Sequence, residues 1–300
     1  MMINKKELAL EAINQALKTR IKAGLNLLSP ACLFDICEQM GVAVWFTDLP
    51  SMDGFYMRKA KPKPAIGVSS LRPAGRKSIT CGHELGHHVF GHGESWDELF
   101  EKREESRRFN PEEYQADLFS AAFHMPKLCV CGALTARAID VRRCTPESMY
   151  ILSNWLGVGY SSLIMHMLHT LLLLESTHAE RLLKVRPREI RKCLLGQECP
   201  GNLIVVDEHW NQRPIDVEVG DLILAPAGCQ IEGQPIVVRN RPSQGTVIAA
   251  ESPGIGRVFN TNMDWAAFVR VTRKNYVGRA IFRFEEEAED DESDSRTVHQ

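Results

Sequence analysis

"ITCGHELGHHVFGH", residues 79–92, sets His83, His87, His88, His92 and Glu84 close together in a chain with only 10 histidines in 300 residues. His83-Glu84-Leu85-Gly86-His87 has the spacing H-E-x-x-H. On a helix, residues four apart point the same way, so the two imidazoles can meet at one metal ion. Glu84 lies about 100° around the helix from His83, beside such a metal rather than on it. Neutral imidazoles favour zinc, and a hydrolytic zinc keeps one position open for water. That water is acidic enough to lose a proton near neutral pH, and Glu84 is placed to take it and pass it to a leaving amine. His88 and His92 lie off the His83/His87 face and read as surface or packing residues.

A third ligand distinguishes a metal site from a histidine-rich surface helix. One class of such sites places a third histidine ten positions after the first, following a glycine turn. Here that position is Gly93, His92 falls one residue short, and Phe90 stands where the turn glycine would be. The remaining route is a glutamate from a separate downstream helix, with Glu94, Glu98, Glu101, Glu104, Glu105, Glu112 and Glu113 as candidates. Glu113 stands out because Asp117 follows one helical turn later on the same face. A ligand carboxylate with a second acid one turn away also supplies a partner that holds a ligand histidine in the right tautomer. Small Ala116 beside them permits close packing on the metal helix. Yet Asn110-x-x-Glu113 equally resembles a capping box, in which Glu113 only satisfies a backbone N–H. The residues alone leave ligand and cap both open.

"GRKSITCGHELGHHVFGH" followed by "EEYQADLFSAAFHMP" resembles the ImmA/IrrE family of zinc metallopeptidases. Its two helices read roughly R-x-x-(F/I)-x-x-A-H-E-(L/I)-G-H and E-x-x-A-(N/D)-x-F-A-x-x-(L/F)-x-M-P. Glu113, Ala116, Asp117, Phe119, Met125 and Pro126 meet the second pattern. Upstream, "LFDICEQMGVAVWF", "GFY" and "AIGVSS" resemble the family's helix, strand and edge strand. The likeness covers residues 25–130 well and 131–195 loosely; Gly82 and Ser120 stand where alanine is usual. It implies an α+β fold with a zincin-like metallopeptidase domain, zinc on His83, His87 and Glu113, and Glu84 as general base. Asp117 would then support the ligand sphere. It further implies a folded regulatory protein as substrate, a helix-turn-helix repressor whose cleavage switches on stress or mobile-element genes. The peptide is expected to add to an edge strand near Ala65–Ser69. The alternative is a non-proteolytic zinc-binding sensor or interaction protein, antitoxin-like, which would have no need of an intact Glu84.

Outside the motif, Asn4 is placed to cap a first helix running to about Arg20, with Gly24 as its stop. "SPACLFDICEQMG" (29–41) predicts a helix capped at Ser29, opened by Pro30 and ended by Gly41. "VAVWF" (42–46) and "AIGVS" (65–69) read as strands with "KPKP" as the turn between them. The motif helix is expected to begin between Pro73 and Arg76. The glutamate helix is expected to be capped by Asn110, opened by Pro111 and closed by Pro126. Residues 131–198 read as helical. The segment 145–175 has the shape of a helix-turn-helix, but Arg143 and Arg181 bracket a stretch without lysine or arginine. A recognition helix needs cations for phosphate and guanine, so this hairpin is read as core and no direct DNA binding is expected.

From Gly201, short β-branched runs from "NLIVV" to "AIFRF" predict a small all-β accessory or sensor domain over 199–286. The acidic stretch 287–300 reads as a disordered tail. The expected domains are therefore 1–130, 131–198, 199–286 and the tail. Hydrophobic content of 44%, charged content of 25% and a net charge of −2 give no broad electrostatic case for nucleic acid or an anionic membrane. No run is judged long enough to span a membrane. The amphipathic start lacks a signal peptide's apolar region, and the irregularly spaced cysteines suit free thiols, so the expected compartment is the cytoplasm. Cys81 reads as a small core residue.

Overall fold

The computed structural model describes residues 4–98, 109–199, 201–242 and 245–285. Helix α1 (Lys5–Lys22) starts as expected, with the Asn4 side chain accepting from the Lys6 amide at 3.1 Å. Its buried stripe is narrow and mostly small, Ala12, Ala16 and Thr19, which lets it lie close against α4 (Pro111–His124). At its end, fully buried Arg20 donates to the carbonyls of Phe123 (2.8 Å), Asn26 (2.8 Å) and Ser29. The Ser29 carbonyl is thus held by a guanidinium, and α2 (Leu33–Gln39) begins after Cys32, three residues later than the Ser29–Pro30 start expected from the sequence.

The first sheet contains β1 (Ala43–Thr47), β2 (Met52–Met57), β3 (Ala65–Ser69), β4 (Ser95–Glu98) and a late strand, β13 (Gly278–Arg279), in the order β13-β1-β3-β2-β4. β1 and β3 are parallel, with Val44 opposite Ile66. β2 runs antiparallel to β3 and to β4, with Tyr56 opposite both Ile66 and Ser95. Two expectations are overturned. "KPKP" joins β2 to β3 rather than β1 to β3, and Ala65–Ser69 is the central strand, not an edge. The edge beyond β2 is β4. The reason lies in β2, whose "MDGFYM" lacks the β-branched residues that mark a strand. Once β2 pairs beside β3, the central strand is buried at four of its five positions.

α3 (Ala74–Phe90) lies across this sheet. Val44, Phe46, Ile66 and Val68 from the strands meet Leu85 from α3, and Phe119 and Phe123 from α4, in one core. Each such side chain removed from water contributes about 1.5–3 kcal/mol. The approach of α3 to α4 is close: a Cβ on Gly86 would stand 3.0 Å from the Ala116 Cα. Contrary to expectation, the run Pro111–Ala136 is long and apolar enough to cross a membrane by length and composition. It is broken at Pro126 into α4 and α5 (Lys127–Ala136), and 61% of its most apolar window is buried in the fold.

α6 (Pro146–Leu156) and α7 (Tyr160–His169) form the hairpin read from the sequence, turning at Gly157 with φ 71°. Met149, Leu152, Leu156, Leu163, Ile164 and Met167 are buried in a second core. α8 (Ser176–Lys184) and α9 (Pro187–Leu195) follow. The next strands are β5 (Leu203–Val205), β6 (Ile215–Glu218), β7 (Leu222–Ala225), β8 (Gln230–Glu232), β9 (Ile236–Asn240), β10 (Thr246–Ala250), β11 (Gly254–Asn260) and β12 (Trp265–Thr272). They make two four-stranded sheets, β5-β7-β10-β9 and β6-β12-β11-β8. The "AIFRF" run is not a strand: Ala280–Phe282 is a 3₁₀ turn, and β13 just before it returns to the first sheet with Arg279 opposite Trp45. The acidic tail lies outside the described residues.

Candidate metal centre

α3 buries His83, Glu84 and His87 together. The two imidazoles converge, Nε2 to Nε2, at 3.0 Å. The Glu113 carboxylate reaches across from α4, Oε2 at 3.3 Å from His83 Nε2 and Oε1 at 3.5 Å from His87 Nε2. One atom from each of the three lies within 4.8 Å of the others, a group able to hold a metal ion. Asn110 caps α4 through the Glu112 amide at 3.0 Å, while Glu113 faces the imidazoles. Of the other candidate glutamates, Glu101, Glu104 and Glu105 lie outside the described residues.

Asp117 stands one turn along α4 with Oδ1 at 2.7 Å from His83 Nδ1. An imidazole that donates from Nδ1 presents its Nε2 lone pair to a metal. Glu84 is fully buried, and its Oε2 accepts from the Ser95 hydroxyl of β4 at 2.5 Å. Gly54 of β2 leaves room beside it: a Cβ there would stand 3.4 Å from Glu84 Oε1 and 2.6 Å from the Thr80 methyl.

His88 packs against the sheet, its Nδ1 2.8 Å from the Tyr56 hydroxyl. His92 differs from the surface or packing residue expected, because its Nδ1 lies 3.1 Å from His87 Nδ1. The helix ending explains the return. Gly91 has φ 70°, and past it the His92 amide reaches back to the His87 carbonyl at 3.0 Å. In such a motif the residue after the left-handed glycine lies over the last full turn of its helix. Burial lowers the pKa of His88 and of His92, so both rings are neutral at pH 7. Cys81 is fully buried beside Cys37, Sγ to Sγ 3.7 Å, and burial pushes its thiol up.

A second contact between α3 and α4 lies behind the ligands. His124 places Nε2 2.8 Å from Ser78 Oγ and Nδ1 2.9 Å from the Ser120 carbonyl, and Ser120 Oγ donates to the Ile79 carbonyl at 2.7 Å. The absence of a side chain at Gly82 makes room for it. A Cβ there would meet Ser120 Oγ at 2.5 Å and His124 Cε1 at 2.8 Å.

Two histidines one helical turn apart, a glutamate from a crossing helix and a buried glutamate beside them are the residue set of a metallopeptidase centre. Residues 37–128 match the family model Peptidase_M78, the IrrE N-terminal-like domain. Over those residues the chain is similar to that peptidase family. No curated protein matches the chain. Among solved structures, a Mycobacterium tuberculosis transcriptional regulator aligns at 15% identity and a TM-score of 0.35, over 54% of this chain and 46% of that one. The chain spans under half of that regulator's length, a likeness too slight to bear on fold or function.

The contacts of His92 with His87 and of Ser95 with Glu84 are not legible in the motif spacing. Gly91 was the signal for His92, since a left-handed stop folds the residue after it back onto the turn that holds His87. Ser95 had no local signal, because β4 meets Glu84 only through the pairing of β2 with both its neighbours.

Proposed function

We propose that this protein is a zinc-dependent endopeptidase, with His83, His87 and Glu113 holding the metal. The carrying observation is the convergence of His83 Nε2, His87 Nε2 and the Glu113 carboxylate beside buried Glu84. Two neutral imidazoles and one carboxylate are a zinc donor set that leaves a fourth position open. Bound there, the ion supplies a Lewis acid for the scissile carbonyl and acidifies a water molecule. Asp117 holds His83 in the ligating tautomer. Glu84 takes the water proton and passes it to the leaving amine, with its carboxylate oriented by Ser95. A substrate peptide adds in extended form along β4, the edge strand whose Ser95 touches Glu84.

The substrate we propose is a folded regulatory protein, a helix-turn-helix repressor, as the family resemblance implies, acting in the cytoplasm. H83A, H87A and E113A test the ligand set. Each is expected to lose zinc measured by mass spectrometry while keeping its fold by circular dichroism. Retention of stoichiometric zinc by E113A would remove Glu113 from the site. Removal of zinc from the wild type with a chelator is expected to stop cleavage of a helix-turn-helix repressor substrate, and added zinc to restore it.

A further inference from the structure

The two faces of β4 carry different chemistry. Ser95 points to the α3 side, where its hydroxyl meets Glu84. Side chains alternate along a strand, so Trp96 stands on the outer face of the sheet. Its indole is 59% exposed, yet it is held in place. It stacks on Phe55, its register partner in β2, with centroids 5.3 Å apart and planes 29° apart. Gly54, the neighbour of Phe55, faces Thr80 and Glu84 of α3, which puts Phe55 on the outer face too. Phe55 in turn lies over Gly67 of the central strand, opposite it in register, where an added Cβ would overlap the Phe55 ring. Three strands thus build a tier of seated rings that ends on β4.

A peptide strand added to β4 places one residue opposite Trp96, with its side chain on the same face and within reach of the indole. The residue opposite Ser95 is its neighbour in the peptide and faces Glu84. The indole therefore reads the substrate one residue away from the position at which Glu84 acts. A ring with one face on Phe55 offers apolar surface and no charge, which suits a large apolar or aromatic side chain. We propose that Trp96, seated on Phe55, is a specificity-determining residue that takes such a side chain of the peptide substrate. This rests on the endopeptidase reading and on strand addition at β4, both proposed above. Large apolar side chains are mostly inside folded proteins, so this subsite selects a segment released by local opening over a polar surface loop.

The test uses the full zinc-loaded chain and a library of random peptides, with the cleavage products sequenced by mass spectrometry. Wild type is expected to favour Phe, Tyr, Trp, Leu or Met about tenfold over Ser, Asp or Lys at one fixed position beside the cut, the scale of one apolar contact in a specificity site. W96T keeps the β propensity of the strand but removes the ring. It is expected to lose that preference and to keep those at other positions, while W96F retains most of it. F55L, which removes the ring beneath the indole, gives a second reading without altering β4 and should weaken the same preference. A Trp96 that only braces β4 would slow cleavage of all peptides alike. An unchanged preference in W96T and F55L, or a uniform slowing with the pattern intact, would overturn the proposal. No cleavage by the zinc-loaded wild type would instead sink the endopeptidase reading, and the subsite with it.

Discussion

Gly82 and Ser120 stand where the family resemblance leads one to expect alanine, and the structure joins the two positions. A methyl at 82 would collide with the Ser120 hydroxyl and the His124 ring. G82A is expected to cost about 1–3 kcal/mol, as overpacking of a tight core does. Adding S120A removes one of the two obstacles, so the double variant should be less destabilised than the two singles summed. Urea unfolding of the four proteins measures this, and strict additivity would deny the contact. His166 offers a second test at the scale of a single residue. It is buried with Nε2 3.0 Å from the Met125 carbonyl, and burial holds its pKa at about 4. The unfolded chain takes up the proton near the ordinary value of about 6.5. The associated stability is therefore complete above that value and lost as pH falls toward 4. Between pH 7 and pH 5 the urea midpoint of the zinc-free protein should fall, and fall less steeply in H166N.

Among the elements, helices were more legible than strands. α1, α3 and α4 are bounded by cap residues and prolines a few positions away, so local chemistry marks them. Ser29 and Pro30 carry the same local signs, yet α2 starts later because Arg20, distant in sequence, takes the Ser29 carbonyl. β2 and β4 lack an alternating or β-branched pattern and are defined by pairing, which no short window contains. For the same reason His83, Glu84 and His87 could be placed together from spacing on one helix, whereas Glu113 stays open between ligand and cap without the family resemblance. Ser95 could not, because its contact with Glu84 depends on how separate elements meet. Arg20 gives a prediction at this scale. R20M would leave the carbonyls of Phe123, Asn26 and Ser29 without their donor. Of the three bonds only that to Phe123 is fully buried, and an unsatisfied buried group costs about 1–3 kcal/mol, so a loss in that range is expected in urea unfolding. A loss below 1 kcal/mol, read as a fold-stability change, would mean that water replaces the guanidinium.

Across the whole molecule, the later strands are tied to the helices that carry the site. Lys77 of α3 pairs with Glu218 of β6, Arg283 with Asp35 of α2 at 2.9 Å, and Arg279 with Glu38 at 3.0 Å. The Lys77 side chain is only 8% exposed. E218Q would leave that ammonium poorly compensated on the metal helix itself, at a cost on the order of 2 kcal/mol. Unfolding of E218Q at the wild-type urea midpoint would show the link to be incidental. The account as a whole turns on one residue that a binding scaffold has no need of, Glu84. The most direct measurement follows cleavage of a helix-turn-helix repressor, the proposed substrate class, by mass spectrometry, with wild type and E84Q loaded with equal zinc. The account predicts that E84Q keeps its zinc and loses cleavage by at least two orders of magnitude, the span of general base catalysis. Cleavage by E84Q at the wild-type rate, at equal zinc content, would contradict it.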